Sequence, residues 1–129
     1  VWISNYGYEK AKASIDESLR KLQTDYIDLM LLHQPFCDRY GAYRALEEAY
    51  KEGKLRTIGV SNFYPDHFID IASNMEIVPA VNQVETHVFD QQIEPQRIME
   101  EFGTRIMSWG PLARGATVSS PRYSTASFT

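Results

Sequence analysis

Four short clusters hold the residues with the most chemistry to offer: His33-Gln34-Pro35, Ser61-Asn62-Phe63, Asn82-Gln83-Val84-Glu85 and Trp109-Gly110-Pro111-Leu112. A neutral imidazole such as His33 can donate a hydrogen bond to a substrate oxygen or act as acid or base; it can equally be satisfied by backbone carbonyls. The hydroxyl of Ser61 and the amides of Asn62 and Gln83 suit a ligand carboxamide, which needs paired donors and acceptors. Serine and asparagine at strand ends also cap helices or form turns, and Asn62 stands shortly before Pro65. Trp109 has a flat face on which a ring can stack, or it packs at a rim. Gly110 and Gly115 allow a backbone to approach phosphates closely, although a pair of glycines is weak evidence.

The remaining candidates carry less. His33, His67 and His87 show neither H-x-H nor H-E-x-x-H spacing, so no metal site is expected. Cys37 is the single cysteine and reads as an inert free thiol. Lys54 precedes a strand instead of ending one, which argues against a Schiff-base lysine.

Positioning these clusters requires a repeating scaffold. Each follows a short apolar run of strand length: Ile27 to Leu32, Thr57 to Val60, Val78 to Val84 and Arg105 to Trp109. Between the runs lie amphipathic stretches with helical spacing, one carrying Ala11, Ile15, Leu19 and Leu22, the next Tyr43, Leu46 and Ala49/Tyr50 before Gly53. Pro65 and Pro95 sit where a first helical turn accepts proline, and Gly103 where a helix ends. With Val1 to Ser4 taken as the end of one more strand, the order is about five parallel strands with four intervening helices. The candidate residues His33, Asn62, Gln83 and Trp109 follow one another at intervals of 29, 21 and 26 residues. One βα unit per interval puts them at successive strand ends, where parallel α/β folds gather function. Ser4 to Glu9 contains no G-x-G-x-x-G turn, so a (β/α)8 barrel is favoured over a doubly wound sheet. A whole barrel takes about 250 residues, so the expectation is an incomplete TIM barrel over residues 1–115. Residues 116–129, rich in Ser and Thr, are read as an unassigned tail, disordered or non-native.

Composition narrows the partners. The 129 residues are 43% hydrophobic and 12% aromatic, enough for a packed core, and the net charge of −4 offers no footprint for a phosphate backbone or an anionic membrane. No nucleic-acid or membrane partner is expected. No apolar run is long enough to span a bilayer, Val1 to Asn5 lack signal-peptide features, and one cysteine suits a reducing compartment, so a cytoplasmic protein is expected.

Taken together, Asp25-Tyr26-Ile27-Asp28-Leu29-Met30-Leu31-Leu32-His33-Gln34-Pro35, Gly53-Lys54-Leu55-Arg56-Thr57-Ile58-Gly59-Val60-Ser61-Asn62-Phe63, Asn82-Gln83-Val84-Glu85 and Trp109-Gly110-Pro111-Leu112 closely resemble the aldo-keto reductase family in order and spacing. The resemblance runs from Val1 to about Gly115 and is nearest to microbial members of the 2,5-diketo-gluconate reductase type. It implies a barrel that binds NADPH at the strand carboxyl ends and transfers hydride to a small aldehyde or ketone. By the same resemblance, His33 orients and polarises the carbonyl. Ser61, Asn62 and Gln83 hold the nicotinamide carboxamide, and Trp109 stacks on its ring. Gly110 and Leu112 belong to the loop that meets the pyrophosphate, and Gln34 and Phe36 line the substrate pocket.

The family's proton-donating tyrosine, with its aspartate and lysine, has no match in this chain, which reads as an internal piece of a reductase that is inactive alone. The full-length protein is expected to be monomeric and the piece to self-associate. The alternative from another class is a non-catalytic module, derived from the same barrel, that senses or binds a nicotinamide cofactor. A non-functional fragment is a third possibility.

Overall fold

The structure, a computed structural model, describes residues 1–115. The tail read from residue 116 onward lies outside them.

Helix α1 (Tyr8–Leu22) begins after Gly7, whose φ of 94° suits a residue without a Cβ, and ends where Gln23 turns left-handed. It buries Ala11 and Ile15, while Leu22 at its end faces solvent. Strand β1 (Met30–Leu32) leads to α2 (Arg39–Lys51), where the Asp38 side chain accepts from the Gly41 N–H at 2.8 Å and caps the helix. Tyr43, Leu46 and Ala49 of α2 are buried as their spacing predicts, and Tyr50 is not. Strand β2 (Ile58–Ser61) is followed by α3 (Pro65–Asn74), with proline in its first turn, then β3 (Val81–Glu85), α4 (Ile93–Glu101) and β4 (Arg105–Trp109).

All four strands are parallel and pair in chain order, β1-β2-β3-β4. A doubly wound sheet reverses its order at a switch point, whereas a barrel adds each strand beside the last. The unbroken order therefore supports the barrel, here as an open four-stranded arc. The fifth strand expected at Val1 to Ser4 is corrected to a single rung. Val1 gives its N-terminal amine to the Leu31 carbonyl at 2.5 Å and accepts the His33 N–H at 3.1 Å, but Ile3–Asn5 then wind into a 3₁₀ turn.

The register divides the sheet into two unlike faces. Leu32, Ile58, Val60, Asn82 and Val84 share one face and are buried, and Leu32, Ile58 and Val60 join Tyr43, Leu46, Phe68, Ile71 and Met99 in the continuous core. Leu31, Gly59, Ser61, Val81, Gln83, Met107 and Trp109 share the opposite, concave face, most of it only partly covered. A parallel sheet is normally covered on both sides, and among the described residues one side is open.

Two outcomes follow from this packing. A Cβ at Gly59 would lie 2.5 Å from the Val81 carbonyl oxygen and 2.8 Å from Leu31 Cδ2. Gly59→Ala must therefore push β2 and β3 apart, and should cost about 1–3 kcal/mol in chemical denaturation; an unchanged midpoint would contradict the register. The open concave face and the unpaired outer edge of β4 should make the 129-residue chain self-associate. Light scattering on a size-exclusion column checks this, and a cooperative 14.8 kDa monomer would count against it.

Candidate functional site

Consecutive parallel strands deliver their carboxyl ends to one rim, and an open cleft of about 390 Å³ lies there. It is lined by His33, Gln34, Ser61, Asn62, Gln83, Trp109 and Arg114. Six of these are residues singled out in the sequence. They come from four different strand ends, separated along the chain by more than twenty residues each, and meet because the register is in order.

Asn62 ties the rim together. It follows β2 directly with φ 60°, a left-handed conformation that asparagine tolerates better than most residues. Its backbone N–H donates to the Gln83 carbonyl at 2.9 Å, and its side-chain Nδ2 donates to the His33 carbonyl and to Ser61 Oγ, each at 3.1 Å. Its Oδ1 accepts the Trp109 indole N–H at 2.9 Å. One residue thus links the ends of β1, β2, β3 and β4. Ser61 Oγ donates in turn to the Gln83 carbonyl at 2.8 Å, and Gln83 Nε2 donates to Met107 Sδ at 3.2 Å. From behind, the fully buried Asn82 gives its Nδ2 to the Phe63 carbonyl at 2.5 Å, which clamps the 61–63 turn onto β3.

His33 is held differently. Its ring lies against Trp2, centroids 4.3 Å apart and planes inclined by 32°, and its buried Nδ1 has no hydrogen-bond partner among the described residues. A buried polar atom without a partner is uncommon, and His33 as a residue lines the cleft. The Arg114 guanidinium sits over the Trp109 ring, 4.9 Å from its centroid, adding one positive charge to the cleft.

The other sequence candidates lie apart from this lining. Phe36 is 55% exposed and Leu112 is 84% exposed, and neither they nor Gly110 lines the cleft. Gly110 adopts φ 64° beside Trp109, the left-handed turn that glycine takes without cost. Trp2, Tyr6, Met107 and Arg114 were not legible as site residues. Only Trp2 carried a signal, as an aromatic beside the strand end preceding His33.

Two tyrosines near the start of the chain, Tyr6 and Tyr8, are both engaged. Tyr8 bonds Glu48 on α2. The Tyr6 hydroxyl donates to the Gln34 carbonyl at 2.6 Å and accepts the Gln34 N–H at 2.9 Å, and burial pushes its phenol up to about 12. Tyr6 is therefore a brace for the His33-Gln34 strand end, with its proton committed.

The pattern of the Aldo/keto reductase family matches residues 1–125, past Gly115 where the sequence reading ended the resemblance. The chain is 44% identical over 116 residues to glyoxal reductase of Bacillus subtilis, covering 89% of this chain and 42% of that protein. A putative 2,5-diketo-D-gluconic acid reductase B superposes with TM-score 0.86 at 37% identity, covering 94% of this chain and 44% of the other. A Bombyx mori aldo-keto reductase crystallised with NADP gives TM-score 0.85 at 27% identity, over 94% and 43%. The chain thus spans less than half the length of the relatives it matches.

Tyr6→Phe should leave both backbone groups of Gln34 unpaired and cost about 1 kcal/mol of stability. The folded state holds the neutral phenol, so this contribution is full below the ordinary phenol value of about 10 and fades as pH rises towards 12. Denaturation of both proteins at pH 8 and pH 11.5 measures it; a difference that fails to shrink at the higher pH would contradict the assignment.

Proposed function

Since the chain belongs to the aldo/keto reductase family, we propose that it forms the orienting and nicotinamide-binding part of an NADPH-dependent reductase of small aldehydes and ketones. The observation that carries this reading is the meeting of His33, Ser61, Asn62, Gln83 and Trp109 around one cleft at four consecutive strand ends.

The polar groups there fit a carboxamide-bearing aromatic ring. Ser61 Oγ and Asn62 Oδ1 each keep a lone pair after their internal bonds, and the Gln83 amide is engaged only by a thioether among the described residues, a weak acceptor it can exchange for a ligand. Trp109 supplies the face for stacking, and Arg114 together with the Gly110 to Leu112 loop lies beside it for the phosphates. When bound, the nicotinamide supplies the hydride. His33 turns an imidazole N–H to the carbonyl oxygen and fixes it against the cofactor ring, which is an entropic gain more than a chemical one. Gln34, which lines the cleft, and Phe36, whose side chain is exposed beside it in sequence, are the residues proposed to meet the substrate. On this reading the family's proton-donating tyrosine, its aspartate and its lysine are not among these 129 residues, and Tyr6 and Tyr8, both hydrogen-bonded, do not take the donor's place. No described helix is long and apolar enough to cross a membrane; a cytoplasmic location is part of the same proposal.

Titration of the chain with NADPH tests the reading. Stacking and a neutral hydrogen bond are each worth about 0.5–1.5 kcal/mol, so Trp109→Ala and Gln83→Ala should each weaken binding several-fold. Unchanged affinity in both removes the assignment. The chain alone should reduce no aldehyde in a panel; a turnover of about one per second or faster would reveal a proton donor among its own residues.

A further inference from the structure

The hydrogen bonds around Asn62 have a directionality that bears on which ligand the cleft accepts. A side-chain amide can be turned by half a rotation, exchanging its oxygen and nitrogen, and only its partners decide between the two. On one side of Asn62 stand the His33 carbonyl, which can only accept, and Ser61 Oγ, whose single proton is given to the Gln83 carbonyl. On the other side stands the Trp109 indole N–H, which can only donate. Turning the amide would face nitrogen to N–H at 2.9 Å and oxygen to oxygen at 3.1 Å, losing three bonds together. The orientation is thus enforced from both ends, and Trp109 is the end that a phenylalanine ring of similar flatness would not supply.

Once internal bonds are counted, what remains on these groups is acceptor capacity: one lone pair on Asn62 Oδ1 and one on Ser61 Oγ. Gln83 gives one of the two N–H of its Nε2 to Met107 Sδ and keeps the other for a ligand carbonyl oxygen. A carboxamide, which brings N–H donors for Asn62 and Ser61, is matched by this set, whereas a carboxylate brings only further acceptors to those two oxygens.

We infer that Trp109 is a positioning residue whose indole N–H locks the Asn62 carboxamide, so that the cleft selects a nicotinamide carboxamide over the corresponding nicotinic acid carboxylate. This rests on the proposed nicotinamide site and adds to it the source of its discrimination. Arg114 would favour any anion, but it acts on both ligands' phosphates and is present in every protein compared, so a change of preference on altering Trp109 isolates the amide lock.

The experiment uses the 129-residue chain with two probes, NADP⁺ and its deamido analogue carrying a carboxylate in place of the carboxamide. Calorimetry should give a preference of about tenfold for NADP⁺, since a site left facing the wrong partner pays for unpaired polar groups. In Trp109→Phe, which keeps a stacking ring, the preference should fall to about twofold. A second reading needs no nucleotide. The indole N–H of Trp109 should exchange with solvent about tenfold more slowly than that of Trp2, whose indole N–H has no partner among the described residues, and Trp109→Phe should shift the Asn62 side-chain amide resonances. Equal exchange at the two indoles, or an undiminished preference in Trp109→Phe, overturns the lock. Absence of binding by either probe, with the indole still protected, overturns the nicotinamide site and with it the selection, leaving the lock as a purely structural bond.

Discussion

Everything at the rim depends on strands that pair in parallel and in chain order. Each βα unit returns the chain to the same end of the sheet, so residues 29, 21 and 26 positions apart finish side by side. The described helices lie on one face, so among the described residues the opposite face stays open and its strand-end side chains converge on a common space. Without that order, His33 and Trp109 would have no reason to meet. With it, a single left-handed residue, Asn62, is enough to stitch four strand ends together through backbone and side chain.

The polar rim is supported by apolar packing beneath. Val60 and Ile58 alternate with Gly59 and Ser61, so β2 presents bulk to the helices and almost none to the cleft. Gly59 lets β2 approach β3 closely, and the fully buried Asn82 holds the Phe63 carbonyl. Burying that amide has a cost, since Asn82 Oδ1 is buried without a partner among the described residues. A fully buried amide that gives up stability for the shape of one turn suggests that the turn's geometry matters more than the packing it displaces.

Much of this is legible in the sequence. Apolar runs of strand length, proline in first turns and glycine at helix ends mark elements through local sterics, and local sterics are what a linear pattern records. The polar residues after each run could be picked out because parallel folds put strand ends to work. Elements set by distant partners were less visible. Val1 to Ser4 read as a strand end, yet only Val1 pairs, because the chain must turn at Ile3–Asn5 to bring Tyr6 under Gln34. Phe36, read as a substrate-pocket residue, and Leu112, read in the loop that meets the pyrophosphate, both have exposed side chains, because a motif does not specify which way a loop side chain leans. Arg114 had no periodic or motif signal at all; it reaches the cleft only because Ala113 and Arg114 adopt left-handed turns that fold the loop back over Trp109.

The central claim is that these strand ends form one nicotinamide-binding surface. Addition of NADP⁺ to the isotopically labelled chain, followed residue by residue by nuclear magnetic resonance, tests it most directly. The account predicts that the perturbed signals gather at His33, Ser61, Asn62, Gln83, Trp109 and Arg114 and leave the outer helices unchanged. Perturbations spread along α1 or across the α2 and α3 surface, with the rim silent, would contradict it.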